Sequence, residues 1–266
     1  MRQFLLLAAV GLLLAPDSSR AVSGAGDGVP PPAPIDAAPT RAARVDAGLR
    51  ATRFVPNVGQ WCEEVRGVVL GETVGWIHDD GFTLRYERAS ARPPVQAPDA
   101  MHAPVRSGAV LRTRFAGRAR RVEPCAEMAA RQHFLIGDDA ARHRSDVPAY
   151  ARMRLVEVLP GIDVILGPLR DAGPGPFAYD LELAPGADLD AFVVRCEGAS
   201  ALRIDAAGEL CVTLPTPTGP VELRHSAPIA WQAGADGRTP LPVQFRLLGP
   251  DRYGFVAAGR DPAQAT

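Results

Sequence analysis

Short runs in which apolar and polar residues alternate, separated by turn-forming residues, cover the chain from residue 53 onward. Residues 177–183 (FAYDLEL) show the pattern most clearly, because almost every second side chain is large and apolar. Side chains of a β-strand point alternately to the two faces of a sheet. We therefore expect this strand to bury one face and to expose Ala178, Asp180 and Glu182 on the other.

Turn-forming residues between the runs predict antiparallel hairpins. The paired runs are 73–78 with 82–88, 202–204 with 210–212, the segments on either side of Asp236-Gly237, and 243–247 with 253–256. Helical periodicity is confined to residues 125–132, about two turns at most. Strands and turns spaced about ten residues apart predict an all-β, β-sandwich-like fold with a short helical turn at most.

A proline-rich segment, residues 90–108, interrupts this pattern and predicts a loop insertion. It divides the predicted module, residues 52–261, into two packed β lobes at 52–124 and 131–261. Composition agrees with many turns around a real core, because 26 glycines and 26 prolines occur among 266 residues of which 47% are hydrophobic. No internal repeat of about 40–50 residues is present, so the chain is not itself a propeller.

The N-terminal residues 1–21 have the features of a secretory signal peptide. Arg2 precedes an apolar stretch at residues 4–15, too short to cross a bilayer, and Ser19-Arg20-Ala21 offers small residues at a cleavage site. Residues 22–51 are rich in Ala, Gly and Pro and predict a disordered linker. We expect an exported protein, in the periplasm, at the cell surface or outside the cell, with no membrane span in the mature chain.

Export permits disulfides, and the mature chain contains four cysteines. We expect a Cys196–Cys211 bridge, because these residues lie near the ends of neighbouring short strands, and a Cys62–Cys125 bridge by elimination. Buried thiols and a zinc site are the alternatives. The zinc site lacks support, because the sequence has no Cys-x-x-Cys or His-x-x-x-His pair.

The charge distribution argues against nucleic-acid binding. The formal net charge is −1, and the 29 basic residues, all arginine, are scattered along the chain. A nucleic-acid-binding domain would instead concentrate them on one face. Five arginines lie between residues 112 and 121, where they alternate with Leu111, Thr113 and Phe115, as expected for the solvated face of a strand.

The densest group of candidate metal ligands lies between residues 133 and 146. These ligands are His133, Asp138, Asp139, His143 and Asp146, whose imidazoles and carboxylates could hold a divalent cation. Their spacing matches no standard zinc or EF-hand pattern. The alternative is an exposed loop in which aspartates cap turns, and we predict no metal site and no cofactor.

Two aspartates, Asp163 and Asp180, lie inside segments that otherwise have the pattern of strands. Each could pair with Arg152 or Arg154 as an internal ion pair; the functional alternative is the carboxylate pair of a glycosidase. No Gly-x-Ser-x-Gly motif supports a serine hydrolase. The tryptophans at 61 and 76 suggest a platform for glycans, with core packing as the alternative.

Four segments occur in an order that resembles a known family. They are FVPNVGQW at 54–61, HFLIGDD at 133–139 followed by RSDVPAYAR at 144–152, LPGIDV at 159–164, and YDLELAPGAD at 179–188. Together they resemble an N-terminal β domain of unknown function in exported bacterial proteins with SBBP (seven-bladed β-propeller) repeats. The resemblance implies a fold class and a compartment. His143 stands where the family tends to carry Trp, and we expect no repeats to follow.

These observations predict a non-catalytic, exported β module for recognition, adhesion or spacing at the cell surface. Its expected partner is an envelope protein or a glycan, and not a nucleic acid. Two alternatives remain: a hydrolase of envelope polymers that uses carboxylates, and a truncated relic of a longer repeat protein.

Overall fold

The computed structural model describes residues 12–14, 52–71, 73–89, 106–135, 137–168, 177–217, 219–234 and 237–261. These residues form an all-β fold, which confirms the predicted class. In the described ranges, the helical structure consists of a 3₁₀ turn at Ala140–Arg142. The strands are β1 (Leu12–Leu14), β2 (Arg53–Pro56), β3 (Gly67–Leu70), β4 (Val74–His78), β5 (Gly81–Ala89), β6 (Arg106–Phe115), β7 (Arg121–Phe134), β8 (Arg144–Leu159), β9 (Ile162–Pro168), β10 (Phe177–Leu183), β11 (Val194–Glu197), β12 (Ala201–Ile204), β13 (Leu210–Leu214), β14 (Val221–His225), β15 (Ala230–Gly234), β16 (Gly237–Leu241), β17 (Val243–Leu247) and β18 (Arg252–Ala257).

Most strands belong to one large antiparallel sheet, in the order β10-β9-β8-β2-β3-β4-β5-β6-β11-β18-β17, with β7 added to β8. Strand β8 joins two parts of this sheet: β9 and β10 on one side, and the strands from β2 to β17 in the order above on the other. It pairs with β2 at Tyr150 and with β9 from Met153 onward. A register shift follows Leu155, and Glu157 within it has a positive φ of 55°. This irregularity lies where β8 pairs with β9, between the two parts of the sheet.

Aromatic contacts show that β10 packs across β5 and β6. The ring of Phe82 lies 4.8 Å from that of Phe177, and the ring of Phe115 lies 5.8 Å from that of Tyr179. The hydroxyl groups of Tyr179 and Tyr253 are hydrogen-bonded at 2.8 Å inside the core. The two parts of the large sheet thus face each other across an apolar interior, as in a β-sandwich.

A smaller sheet of order β1-β14-β13-β12 completes the core. Its buried residues Leu210, Val212, Leu214 and Leu223 belong to the same apolar cluster as the core of the large sheet. At its edge, Leu12 to Leu14, within the predicted signal peptide, pair with β14 in antiparallel register. β15 and β16 form a separate two-stranded hairpin.

The predicted hairpins are confirmed. His78 pairs with Gly81 across the β4–β5 turn, and Leu202 pairs with Val212 between β12 and β13. The β15–β16 and β17–β18 hairpins also form where expected. Gly81 is required in its turn, because its φ is +143° and a Cβ atom would lie 2.0 Å from the carbonyl oxygen of Thr113.

Three expectations about local structure are corrected. The predicted helical segment 125–132 lies within β7, because pairing with β8 determines its conformation. The last residues of the predicted insertion, 106–108, belong to β6, and strands from both predicted lobes share the large sheet. Strand β10 is covered on both faces, since Ala178 and Asp180 are buried together with the apolar residues.

Some predictions fall outside the described residues. These are the cleavage site at 19–21, the whole linker 22–51, and residues 90–105 of the predicted insertion. A search of the described residues for a helix long and apolar enough to span a bilayer found none.

Candidate functional site

A second apolar cluster lies on the face of β2, β3 and β4 that points away from the main core. Alternation along the strands produces it, since Phe54 belongs to the main core and Val55 to this cluster. Its buried residues are Val55, Val65, Val68, Val147 and Ala149. Trp61, Leu70, Trp76 and Phe134 pack on it and stay half-buried. This face therefore presents aromatic rings close to solvent.

The side chain of Asn57 organises the loop that carries Trp61. Its Nδ2 donates hydrogen bonds to the carbonyl oxygens of Trp61, Cys62 and Val65 at 3.2, 2.9 and 2.8 Å. Its Oδ1 accepts from the backbone N–H groups of Gly59 and Trp61 at 3.0 and 3.2 Å. One amide thus contacts five backbone groups, with its two N–H donors shared among three carbonyl oxygens, so the loop has a defined conformation although it contains no regular secondary structure.

Arg144 joins this loop to the segment that precedes β8. Its Nε donates to the carbonyl oxygen of Val58 at 2.8 Å, and its Nη1 donates to those of Ala141 and His143 at 2.6 and 2.9 Å. Gly59 makes the close approach feasible: its φ is +102°, and a Cβ atom would lie 2.6 Å from Nη2 of Arg144. Two of the four sequence segments, 54–61 and 144–152, therefore meet at this point.

A groove of about 640 Å³ lies between this loop and the start of β7. Its walls come from seven of the residues between 56 and 66, from Asp79 and from residues 119–122, and we call it the Trp61 groove. The ring of Trp61 packs edge-to-face against Phe134, with 5.0 Å between ring centroids. Trp76 packs on the same apolar cluster but does not line the groove.

One of the two acidic residues in the groove wall, Asp79, is ion-paired with arginines. Both carboxylate oxygens of Asp79 accept hydrogen bonds from Nη2 of Arg118 at 3.0 Å, and Arg66 approaches at 3.5 Å. Partial burial alone would raise the pKa of Asp79, but the hydrogen bonds and charge of Arg118, with those of Arg66, outweigh it and hold the pKa below its ordinary value. Asp79 is therefore ionised at neutral pH.

A second polar group covers the outer face of β8, β9 and β10. Arg154 donates to Oδ2 of Asp163 through Nε at 2.9 Å and through Nη2 at 2.7 Å, and the same Nη2 donates to Glu182. Arg152 lies 3.7 Å from Asp180. The predicted pairing of these aspartates with these arginines is confirmed. A cavity of about 150 Å³ adjoins the group, and Arg120 and Arg121 line both this cavity and the Trp61 groove.

The guanidinium of Arg154 limits the acid–base chemistry that Asp163 and Glu182 can perform. Burial would lower the pKa of Arg154, but hydrogen bonding to Asp163 and the charges of Glu182 and Asp163 raise it. The second oxygen of Asp163 accepts from the backbone N–H of Glu157 at 2.6 Å. Such donors stabilise the ionised carboxylate, whereas a general acid must hold a proton.

The candidate metal ligands do not converge. Asp139 caps the 3₁₀ turn by accepting from the N–H of Ala141 at 3.0 Å, and His143 Nε2 lies 2.9 Å from the carbonyl oxygen of Gly137. His133 Nδ1 accepts from the N–H of Asp146, whose φ is +59°, while Asp138 is exposed. Among the described residues, no group of three or more His, Cys, Asp or Glu side chains is arranged to hold a metal.

The predicted disulfides are absent from the structure, where all four cysteines are free thiols. Cys196 lies on β11 in the large sheet and Cys211 on β13 in the small one; β12 intervenes, so the two strands are not neighbours. Burial raises the pKa of the Cys196 thiol to about 12. Cys62 is exposed in the loop, and Cys125 is half-buried on β7 opposite Arg152.

The sequence reasoning did not identify Asn57 and Arg144 as the residues that shape the groove. Their signal was present, because both lie in the segments that carry the family resemblance. It did not identify His225 either, whose buried ring has no hydrogen-bond partner in the described part of the chain. An isolated histidine in an alternating strand gives no local indication of burial.

Comparisons with known proteins agree with the resemblance at the level of the domain. Residues 54–265 match a family described as a domain of unknown function, DUF7948. No curated protein and no solved structure matches the chain. The matched range includes the Trp61 groove and the Arg154 group, and it covers most of the 266 residues. The chain therefore belongs to the DUF7948 family.

Proposed function

We propose that this protein is a non-catalytic recognition module of the bacterial cell envelope, and that it binds a glycan in the Trp61 groove. The observation that carries the proposal is the groove itself, about 640 Å³ in volume, with a half-buried tryptophan on a loop of defined conformation. Grooves of this size suit small ligands or a few units of a polymer.

The loop supports binding because its conformation does not depend on a ligand. Asn57 holds its backbone from within, and Arg144 holds it from the segment before β8. A site that is already ordered loses little conformational entropy when a ligand binds. The indole of Trp61 supplies a flat apolar surface of the kind that packs against the C–H faces of sugars.

The carboxylates on the outer face favour binding over hydrolysis. Asp163 and Glu182 both accept hydrogen bonds from Arg154, so neither is arranged as a proton donor. Hydrolysis by a carboxylate pair would need one protonated and one ionised member. These contacts instead serve as ion pairs between β8, β9 and β10.

Two features support export as part of this proposal: the signal-peptide pattern of residues 1–21 and the family resemblance. On the same basis we propose the association with SBBP repeats. Adhesion and spacing are further proposed roles for a module placed at the cell surface. A glycan-binding groove would give such a module a ligand in that compartment.

The proposal is tested by measuring glycan binding to the purified full chain with a panel of envelope oligosaccharides, followed by isothermal titration calorimetry. Trp61→Ala is expected to reduce affinity at least tenfold. Trp76→Ala is the matched control, because Trp76 packs on the same apolar cluster outside the groove. Equal affinities of the two variants, or no binding by any member of the panel, would refute the proposal.

A further inference from the structure

The charges of the Trp61 groove indicate which class of glycan it accepts. Three arginines, Arg66, Arg120 and Arg121, line it, against two acids, Glu63 and Asp79. Asp79 is ion-paired with Arg66 from within the groove and with Arg118 from outside it. The described lining therefore has an excess of positive charge.

The two arginines at the start of β7 have exposed guanidinium groups. The side chain of Arg120 is 71% exposed and uses Nη1 for its ion pair with Glu157, at 2.7 Å. Arg121 is 57% exposed and pairs through Nε with Glu123. Ion pairs at such exposure contribute little, and a guanidinium has five N–H donors. Both groups can therefore donate to an additional anion without loss of a buried contact.

We propose that the Trp61 groove selects acidic glycans, in which a sugar ring stacks on Trp61 and a carboxylate accepts hydrogen bonds from Arg120 and Arg121. This inference rests on the proposed glycan-binding function and adds the charge of the ligand. Arginine forms paired hydrogen bonds to planar carboxylates. Because Arg120 and Arg121 also line the cavity beside Arg154, a longer chain extends from the groove toward that cavity.

The backbone of the groove favours a glycan over an acidic peptide. Peptides commonly bind by adding a strand to an open sheet edge, which requires unused N–H groups. Here the N–H groups of Val58, Gly59 and Trp61 are bonded to side chains within the loop. Those of Ala119 and Arg120 are bonded to the carbonyl oxygens of Asp79 and Val156. The loop wall of the groove and residues 119 and 120 therefore present side chains rather than free backbone N–H groups.

The test compares three probes on the full chain by titration calorimetry: tetragalacturonate, its methyl ester and poly-glutamate. Tetragalacturonate is expected to bind at least about tenfold more tightly than the uncharged ester, equivalent to about 1.4 kcal/mol. Its affinity is expected to fall as salt increases, because the added contacts are ionic. The double variant Arg120→Gln/Arg121→Gln is expected to bind acid and ester equally.

Arg142→Gln is the control, because Arg142 is equally exposed but lies on the 3₁₀ turn outside the groove. Equal binding of tetragalacturonate and its ester by the unmodified protein would overturn the charge selection and leave the glycan proposal intact. Binding of poly-glutamate that matches tetragalacturonate and survives Trp61→Ala would show an acidic-peptide surface instead. Binding of none of the probes, together with none in the wider panel, would overturn both proposals.

Discussion

Acidification is expected to destabilise the fold through His225. The imidazole lies in the core between the two sheets, next to a cavity of about 10 Å³ that Thr113, Phe82 and Tyr179 also line. Neither ring nitrogen has a hydrogen-bond partner among the described residues. Burial lowers the pKa of His225 from 6.5 to about 3, because a charged ring would lose its hydration without gaining a counter-ion.

The sign and size of the effect follow from this depressed pKa. Between pH 6.5 and about 3 the unfolded chain binds a proton at this site and the folded chain does not, so the free energy of unfolding decreases as pH falls. The slope approaches about 1.4 kcal/mol per pH unit. Lowering the pH from 6.5 to 4.5 is therefore expected to cost about 2 kcal/mol, and lowering it to pH 3 about 4 kcal/mol.

Urea unfolding at pH 7.5, 6.5, 5.5 and 4.5 measures this dependence, with His225→Leu as the test variant and His133→Ala as the control. Leucine has a similar volume and no ring nitrogen to leave unpaired. The variant is expected to be about 1 kcal/mol more stable at pH 7.5 and to lose most of the slope. His133 is exposed on β7, so its replacement is expected to leave the slope unchanged. A variant at residue 225 that keeps the wild-type slope would refute the reasoning.

Three further predictions concern the loop, the ion pairs and the thiols. Asn57→Ala removes five side-chain contacts to the backbone. We expect the free energy of unfolding, measured in urea, to fall by about 2–4 kcal/mol. A fall of less than about 0.5 kcal/mol would contradict the role of the amide. Arg154→Met removes the cation that Asp163 and Glu182 share, and we expect the free energy of unfolding to fall by about 3–5 kcal/mol in the same assay; an unchanged stability would contradict the role of these ion pairs. In a thiol titration of the unreduced protein, we expect the folded protein to show rapid reaction of Cys62 alone and the unfolded protein to show reaction of all four cysteines. Fewer than four reactive thiols after unfolding would reveal a disulfide.

Local turn chemistry accounts for the features that were predictable from the sequence. The hairpins at 78–81 and 205–208 follow from aspartate and glycine placed between alternating runs, because these residues favour the required backbone conformations over a few positions. The pairing of Asp163 with Arg154 was also predictable. A carboxylate in an apolar strand needs a cation, and few arginines occur in the neighbouring strands.

Features that depend on distant parts of the chain were not predictable. Residues 125–132 have helix-forming alanines, yet pairing with β8 makes them a strand. The structure places Cys196 and Cys211 in different sheets, because proximity in sequence does not determine whether β11 and β13 pair. The groove was missed for the same reason: Arg144 donates to the carbonyl oxygen of Val58, a residue 86 positions earlier, and the two come together only in the folded chain.

The topology of β8 has a consequence for the order of folding. Phe54 must find Tyr150, Phe115 must find Val194, and Val194 must find Tyr253 before the large sheet is complete. Chains dominated by such distant pairings fold slowly, because a long loop has to close before any contact rewards it. The hairpins between consecutive strands can form early, but the large sheet closes only after residues as late as Tyr253 have been synthesised.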